Sequence, residues 1–170
     1  MHIFVSTNGT LLSEEISKEI VAEGLIDVLQ ISIDGAREET YAKIRKRAKP
    51  GNDYSRVLDA LKTIINIKKK QNKQFPKIKV EMLVNQHTSD EIFMFATQMT
   101  NLGVNMILLD SVKGEYTGLG LADCDIPSVY AELQRARAYA ESAGVFMEGP
   151  LFDELSALFR KADQSRSGVA

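Results

Sequence analysis

The feature that most constrains the fold is a repeated unit in which a short apolar run, a polar loop, an amphipathic stretch and a glycine follow one another. The first unit begins with an apolar run at residues 2–7, continues through Ser13 as a helix N-cap, and ends at Gly24. Apolar residues at helical spacing predict a helix that packs on the strand before it. Because strands that alternate with helices form βαβ units, the sequence predicts an α/β fold with parallel strands.

Further strands and helices follow in the same order along the chain. We predict strands near residues 27–33, 78–84, 105–110 and 145–147, and helices near residues 38–45, 54–70, 88–103 and 127–143. The stretch Thr88-Ser89-Asp90-Glu91 has the form of a capping box, which predicts the start of a helix. We expect residues 1–150 to form one domain and residues 151–170 to form a C-terminal helix with a frayed tail.

Charge and cysteine content exclude several classes of function. The formal net charge of -2 over 170 residues argues against a nucleic-acid-binding protein. No apolar run approaches the roughly 20 residues that a membrane helix requires, and the start does not resemble a signal peptide. The single cysteine, Cys124, excludes an intrachain disulfide and fits a reducing compartment. We therefore expect a cytoplasmic domain that does not bind a membrane.

Two of the predicted strands have one apolar face and one polar face. Since side chains alternate across a strand, the apolar face of the second strand carries Leu29, Ile31 and Ile33. The polar face carries Gln30, Ser32 and Asp34 in the second strand and Lys79, Glu81 and Asn85 in the third. A polar inner face predicts a wet cavity that holds a polar ligand. The alternative is that these are edge strands with a solvated face.

Several segments, taken in order, resemble the radical S-adenosylmethionine (SAM) superfamily. They are "STNGTLL", "LIDVLQISIDG", "EETYAKIRKRA", "YSRVLDAL", "KIKVEMLVN" and "DEI". The resemblance is closest to members that modify peptides or proteins and carry an additional C-terminal cluster domain. It implies a partial (β/α) barrel of about four to five parallel strands, equivalent to strands three onward of a (β/α)6 barrel.

The resemblance also implies two cofactors for the intact parent protein, SAM and a [4Fe–4S] cluster. In the family, a CxxxCxxC loop holds the cluster, a Gly-Gly-Glu segment contacts the SAM amino group, and SAM is cleaved to methionine and a 5′-deoxyadenosyl radical. Neither motif occurs in this sequence, and one cysteine cannot supply three thiolates. We therefore expect a fragment of a radical SAM enzyme that is inactive by itself.

Family positions map onto candidate SAM-binding residues in this chain. The resemblance assigns SAM contacts to Ser32 and Arg45, and an adenine contact to Leu109, with Leu108 as the alternative. Ser6, Thr7 and Asn8 are expected at the mouth of the cavity, where the binding groups of barrel folds cluster. Each residue also has a plainer interpretation. Arg45 lies among other cations and suits a solvated helix, Ser32 suits a satisfied strand hydroxyl, and Asn8 before a glycine suits a turn.

The remaining polar residues are the candidate substrate contacts. They are Gln30, Asp34, Lys79, Glu81 and Asn85. The expected partners are SAM, a peptide or protein substrate, and a second copy or another protein that completes the barrel, because exposed strand edges invite pairing.

Two other functions fit the same pattern. The chain could be a degenerate domain without a cluster that binds a ligand or a protein. It could also be an unrelated α/β enzyme with an open sheet.

Overall fold

The computed structural model describes residues 2–45, 53–111, 120–121 and 124–157. In these ranges, five strands alternate with helices as the sequence predicts, including the two predicted helices between β2 and β3, and a further helical stretch follows β5. The elements are β1 (Phe4–Thr7), α1 (Glu14–Glu23), β2 (Val28–Ser32), α2 (Glu38–Ile44), α3 (Asp53–Lys70), β3 (Lys77–Val84), α4 (Ile92–Leu102), β4 (Met106–Ser111), α5 (Ile126–Ser142) and β5 (Phe146–Glu148).

All five strands belong to one parallel sheet in the order β1-β2-β3-β4-β5. One face of the sheet is fully buried together with side chains from the helices; in β3 it carries Ile78, Val80, Met82 and Val84. The alternate residues of β3 are only half-buried, so the opposite face is open. The predicted fold class is confirmed: the strands form an open sheet consistent with part of a (β/α) barrel.

The local signals in the first unit are confirmed. The side chain of Ser13 accepts a hydrogen bond from the Ile16 amide, and Gly24 ends α1 in the left-handed conformation at a φ of 65°. The two glutamates of the first turn lie where the helix dipole favours negative charge.

The predicted capping box before α4 is wrong. Helix α4 begins at Ile92, and Glu91 stands at its N-cap without a side-chain capping bond. The Thr88 hydroxyl instead donates to the carbonyl of Leu83 at 2.9 Å and accepts from the amide of Asn85 at 2.9 Å. Thr88 therefore stabilises the turn after β3 and does not cap α4. The Glu91 side chain bonds instead to residues distant in the sequence.

Glu91 fixes the loop between β2 and α2. Its carboxylate is fully buried and accepts hydrogen bonds from the Ala36 amide at 2.6 Å, the Arg37 guanidinium at 2.9 Å and the Thr40 hydroxyl at 2.5 Å. Charge-assisted bonds of this kind are about twice as strong as neutral ones. We call these four residues the Glu91 clamp; it joins α4 to the segment that follows β2.

Tyr54 holds the same loop from α3. Its hydroxyl donates to the carbonyl of Ala36 at 2.8 Å, and the side-chain amide of Gln98 donates to that carbonyl at 3.1 Å. Both backbone groups of Ala36 are thus bonded by side chains from other helices. Burial raises the pKa of Tyr54 to about 12.

Residues 151–157 are helical, and Leu151 and Leu155 are fully buried in the core that the sheet forms with its helices. The rest of the predicted C-terminal helix and frayed tail, residues 158–170, lies outside the described residues. Within the described ranges, every helix is too short or too polar to cross a membrane.

We predict that Glu91→Gln destabilises the fold. The amide keeps the shape of the side chain but removes its charge and turns a donor towards groups that are themselves donors. The free energy of unfolding should fall by about 2–3 kcal/mol, measured by urea denaturation. The matched control is Asp90→Asn, which changes the exposed neighbour and should cost less than about 0.5 kcal/mol. Equal losses in the two variants would contradict the clamp.

We also predict an alkaline stability change that depends on Tyr54. The folded phenol has a pKa of about 12 and the unfolded phenol one of 10.0. The stability that the protonated phenol contributes is complete below pH 10.0 and is lost as the pH rises towards 12. The Tyr54→Phe variant should therefore lose about 1 kcal/mol less unfolding free energy than the wild type between pH 9 and pH 11, measured by urea denaturation. Tyr139→Phe on α5 is the control and should decline as the wild type does.

Candidate functional site

The open face of the sheet gathers the polar side chains that the sequence analysis singles out. Strand register places Ser6, Gln30, Lys79 and Met106 in one row across the sheet. The next row towards the carboxyl ends contains Ser32, Glu81, Leu108 and Glu148. In α/β folds, ligands bind at the carboxyl ends of parallel strands. This second row and the loops beyond it form the candidate site.

Gln30, Ser32 and Glu81 form one hydrogen-bonded group, which we call the open-face triad. One carboxylate oxygen of Glu81 (Oε2) accepts from the Gln30 amide nitrogen at 2.9 Å and from the Ser32 hydroxyl at 2.9 Å. Because the hydroxyl has a single proton, Ser32 can offer a ligand only its lone pairs. A ligand group that meets Ser32 must therefore be a donor.

Lys79 and Glu148 form an ion pair on the same face. Lys79 is a predicted site residue, whereas Glu148 is one that the sequence analysis missed. The predicted fifth strand stopped one residue short of Glu148. The observed strand includes it and turns its side chain to the face that Phe146 shares. This pairing neutralises the lysine that lies closest along β3 to Glu81.

Asp34 and Arg45 form a second ion pair just beyond β2. The Arg45 Nε donates to an Asp34 carboxylate oxygen at 2.8 Å, and the guanidinium lies 5.8 Å from the centre of the Tyr41 ring. Asp34 is 8% exposed and Arg45 is 29% exposed. Among the described residues, the terminal nitrogens of Arg45 have no hydrogen-bond partner. They remain available to a carboxylate in the fork geometry that arginine favours.

Burial also affects Tyr41, the aromatic neighbour of Arg45. Burial raises the pKa of the Tyr41 phenol, and the positive charge of Arg45 opposes that rise. The phenol therefore stays protonated near neutral pH, and its ring supports the guanidinium as a neutral surface.

Two predicted residues of the first strand are used locally. Thr7 lies in register with Ile31, on the buried side of the sheet, and its hydroxyl accepts from the Gly9 amide at 3.1 Å. The Asn8 side chain accepts from the amide and the hydroxyl of Thr10. Of the Ser-Thr-Asn sequence, Ser6 is the residue that shares the open face with Gln30.

Leu109 lies away from the open face, and Asn85 is used within a turn. Leu109 is fully buried in the core, so Leu108 replaces it as the apolar residue of β4 beside Glu81. Asn85 is 1% exposed, and its side-chain oxygen accepts from the His87 amide at 2.8 Å. Alternation along the strand predicted a side chain available to a ligand, but β3 ends at Val84 and the Asn85 side chain bonds within the turn that follows.

The residues of this chain fit one of the two implied cofactors. The free end of Arg45 suits a carboxylate and the lone pairs of Ser32 suit a hydroxyl or an amine, both of which SAM carries. An iron–sulfur cluster does not fit, because the sequence has one cysteine. Within the described ranges, no group of three or more His, Cys, Asp or Glu residues could hold a metal ion.

Comparison with known proteins gives three results. The model of the radical SAM superfamily matches residues 1–84. Probable GTP 3′,8-cyclases from strains of Saccharolobus islandicus are 30% identical over 119 residues. That alignment covers 69% of this chain and 34% of the relative, so the chain spans about a third of the length of the curated relatives that it matches.

A solved structure shares the fold. It is the crystal structure of Streptococcus suis SuiB bound to the precursor peptide SuiA, with a TM-score of 0.59 and 12% sequence identity. The superposition covers 86% of this chain and 31% of SuiB.

The superfamily model spans β1, β2 and β3, which carry the open-face triad, and the structural likeness extends over most of the remaining chain. The match to the superfamily model and the sequence relatives lead to the same conclusion: this chain belongs to the radical SAM superfamily.

Proposed function

We propose that the open face is part of the SAM-binding site of a radical SAM enzyme. The observation that carries this proposal is the state of Arg45. Its Nε is fixed by the nearly buried Asp34, while its terminal nitrogens have no partner among the described residues. A guanidinium held in this way is preorganised for a carboxylate, because little side-chain freedom is lost on binding.

Each proposed contact with SAM follows from the hydrogen-bonding capacity of a side chain. Arg45 binds the carboxylate of SAM through its terminal nitrogens. Ser32, whose proton is bonded to Glu81, accepts a hydrogen bond from a ribose hydroxyl or from the amino group. Leu108 provides an apolar surface for the adenine. The Glu91 clamp contributes indirectly, because it fixes the loop that carries Asp34.

The radical chemistry requires more than this chain contains. In the family, SAM bound to a [4Fe–4S] cluster supplies a 5′-deoxyadenosyl radical that oxidises or modifies the substrate. We propose that the thiolates of the cluster come from outside these 170 residues, since Cys124 is the one cysteine of the sequence. By this proposal, the 170 residues alone bind SAM without cleaving it.

A peptide or protein is the proposed substrate class. SuiB, which shares the fold, is bound to a precursor peptide in its crystal structure. The other polar side chains that the sequence analysis assigned to the substrate remain the proposed substrate contacts: Gln30, Asp34, Lys79 and Glu81. Asn85 is no longer a candidate, because it is buried in the turn after β3.

The second candidate function is that of a binding module that works without a cluster. The single cysteine favours it, and the two candidates share the same SAM contacts. They differ in whether a separate polypeptide with a CxxxCxxC loop restores SAM cleavage when it is mixed with this chain under reducing conditions. Methionine and 5′-deoxyadenosine would then be the products, and their absence would favour the binding module.

We predict that Arg45→Lys weakens SAM binding about ten-fold. Lysine keeps the charge but lacks the planar fork that binds a carboxylate through two hydrogen bonds and Asp34 through a third. The dissociation constant for SAM is measured by isothermal titration calorimetry with the full chain.

The matched control is Arg135→Lys on α5, the same substitution at a site where the guanidinium lies on the ring of Phe93. It should leave the dissociation constant unchanged. Wild-type chain that does not bind SAM, or equal effects of the two substitutions, would contradict the proposed site.

A further inference from the structure

We propose that Glu81 binds a positively charged group of the ligand on the open face; this inference rests on the proposed function and names the chemistry that the site recognises. The site includes the carboxylates of Asp34, Glu81 and Glu148, and Asp110 lies beyond them at the end of β4, where its Oδ1 accepts from the Ser111 amide. Asp34 is paired with Arg45, and Glu148 is paired with Lys79. Glu81 has no ion-pair partner among the described residues.

The hydrogen bonds to Glu81 orient its carboxylate without neutralising it. Both donors, the amide of Gln30 and the hydroxyl of Ser32, are uncharged, and both bond to the same oxygen, Oε2. The other oxygen, Oε1, has no hydrogen-bond partner among the described residues. The carboxylate is thus fixed in direction and keeps a negative charge and an acceptor for a ligand.

The nearest candidate cation in the chain is already used. Lys79 lies two residues before Glu81 on the same face of β3, at a position from which a lysine side chain could turn towards Glu81. It bonds to Glu148 instead. Lys79 and Glu148 therefore neutralise each other, whereas Glu81, in the same row of the sheet as Glu148, has no cation beside it among the described residues.

The surroundings of Glu81 exclude an anionic ligand group at this point. Ser32 presents lone pairs only, and Leu108, which lies in register with Glu81, offers no donor. A phosphate or carboxylate here would meet acceptors and a negative charge. An ammonium or a guanidinium would instead donate a charge-assisted hydrogen bond in a half-buried site, and a sulfonium would gain Coulomb attraction to the carboxylate.

Two sources can supply this cation: SAM itself, or a lysine or arginine side chain of a peptide substrate. Two pairs of probes separate these sources. SAM is compared with 5′-methylthioadenosine, which lacks both the sulfonium and the amino acid. Nα-acetyl-lysine amide is compared with its Nε-acetylated form, which is neutral.

The experiment uses the full chain with ¹³C-labelled glutamate and follows the carboxyl carbon of Glu81 by NMR. Loss of one signal in the Glu81→Gln variant assigns it. At constant ionic strength, at least one cationic probe should shift this signal to saturation, while its neutral counterpart should not. Glu81→Gln should weaken binding of that probe about ten-fold, and Glu81→Asp, which keeps the charge, should weaken it less.

The matched control is Glu141→Gln, which removes an exposed carboxylate that pairs with Arg137 on α5. It should leave the affinity for the probe unchanged. A response to SAM alone identifies SAM as the source of the cation, and a response to the lysine probe identifies the substrate.

The inference is overturned if no cation shifts the signal of Glu81, if neutral probes shift it equally, or if Glu81→Gln binds as the wild type does. If SAM binding depends on Arg45 but no probe shifts the signal of Glu81, this inference is refuted and the proposed function stands. A response to the lysine probe without SAM binding would refute the proposed function and keep this inference.

Discussion

The buried carboxylate of Glu91 is the contact on which the rest of the candidate site depends. It holds the amide of Ala36 and the side chains of Arg37 and Thr40, so the chain beyond β2 has one fixed path. Asp34 lies just before this fixed segment, and Arg45 lies at the C-terminal end of α2, the helix that follows it. If the loop took another path, the buried Glu91 carboxylate would lose its hydrogen-bond donors. Because an unpaired buried charge strongly destabilises a fold, such paths are unfavourable.

Charge is distributed over the open face in a consistent way. Two ion pairs, Asp34 with Arg45 and Lys79 with Glu148, lie on either side of a carboxylate that has neutral partners only. The site therefore presents guanidinium donors at its rim and a carboxylate on its floor. Such an arrangement suits a ligand that carries charges of both signs, as SAM does, and it gives that ligand one preferred orientation.

The sequence carried enough information for the fold and for the faces of the strands. Helical spacing in α1 and α3 and alternation in β2 and β3 are local patterns, and the core bears them out. The partners of individual side chains required long-range geometry. Glu91 resembled the end of a capping box, yet its partners lie more than fifty residues earlier in the chain. Leu109 shows that one residue of register decides whether a side chain faces the open side of the sheet or the core.

By the proposed function, SAM binds at the carboxyl ends of β2, β3 and β4 on the open face. Backbone amide NMR of the full chain during a titration with SAM tests it most directly. Saturable shifts are expected for the amides of Ser32, Arg45 and the loop held by the Glu91 clamp, and no shifts are expected along α1 and α5. Shifts confined to the helices, or no saturable shift at all, would contradict it.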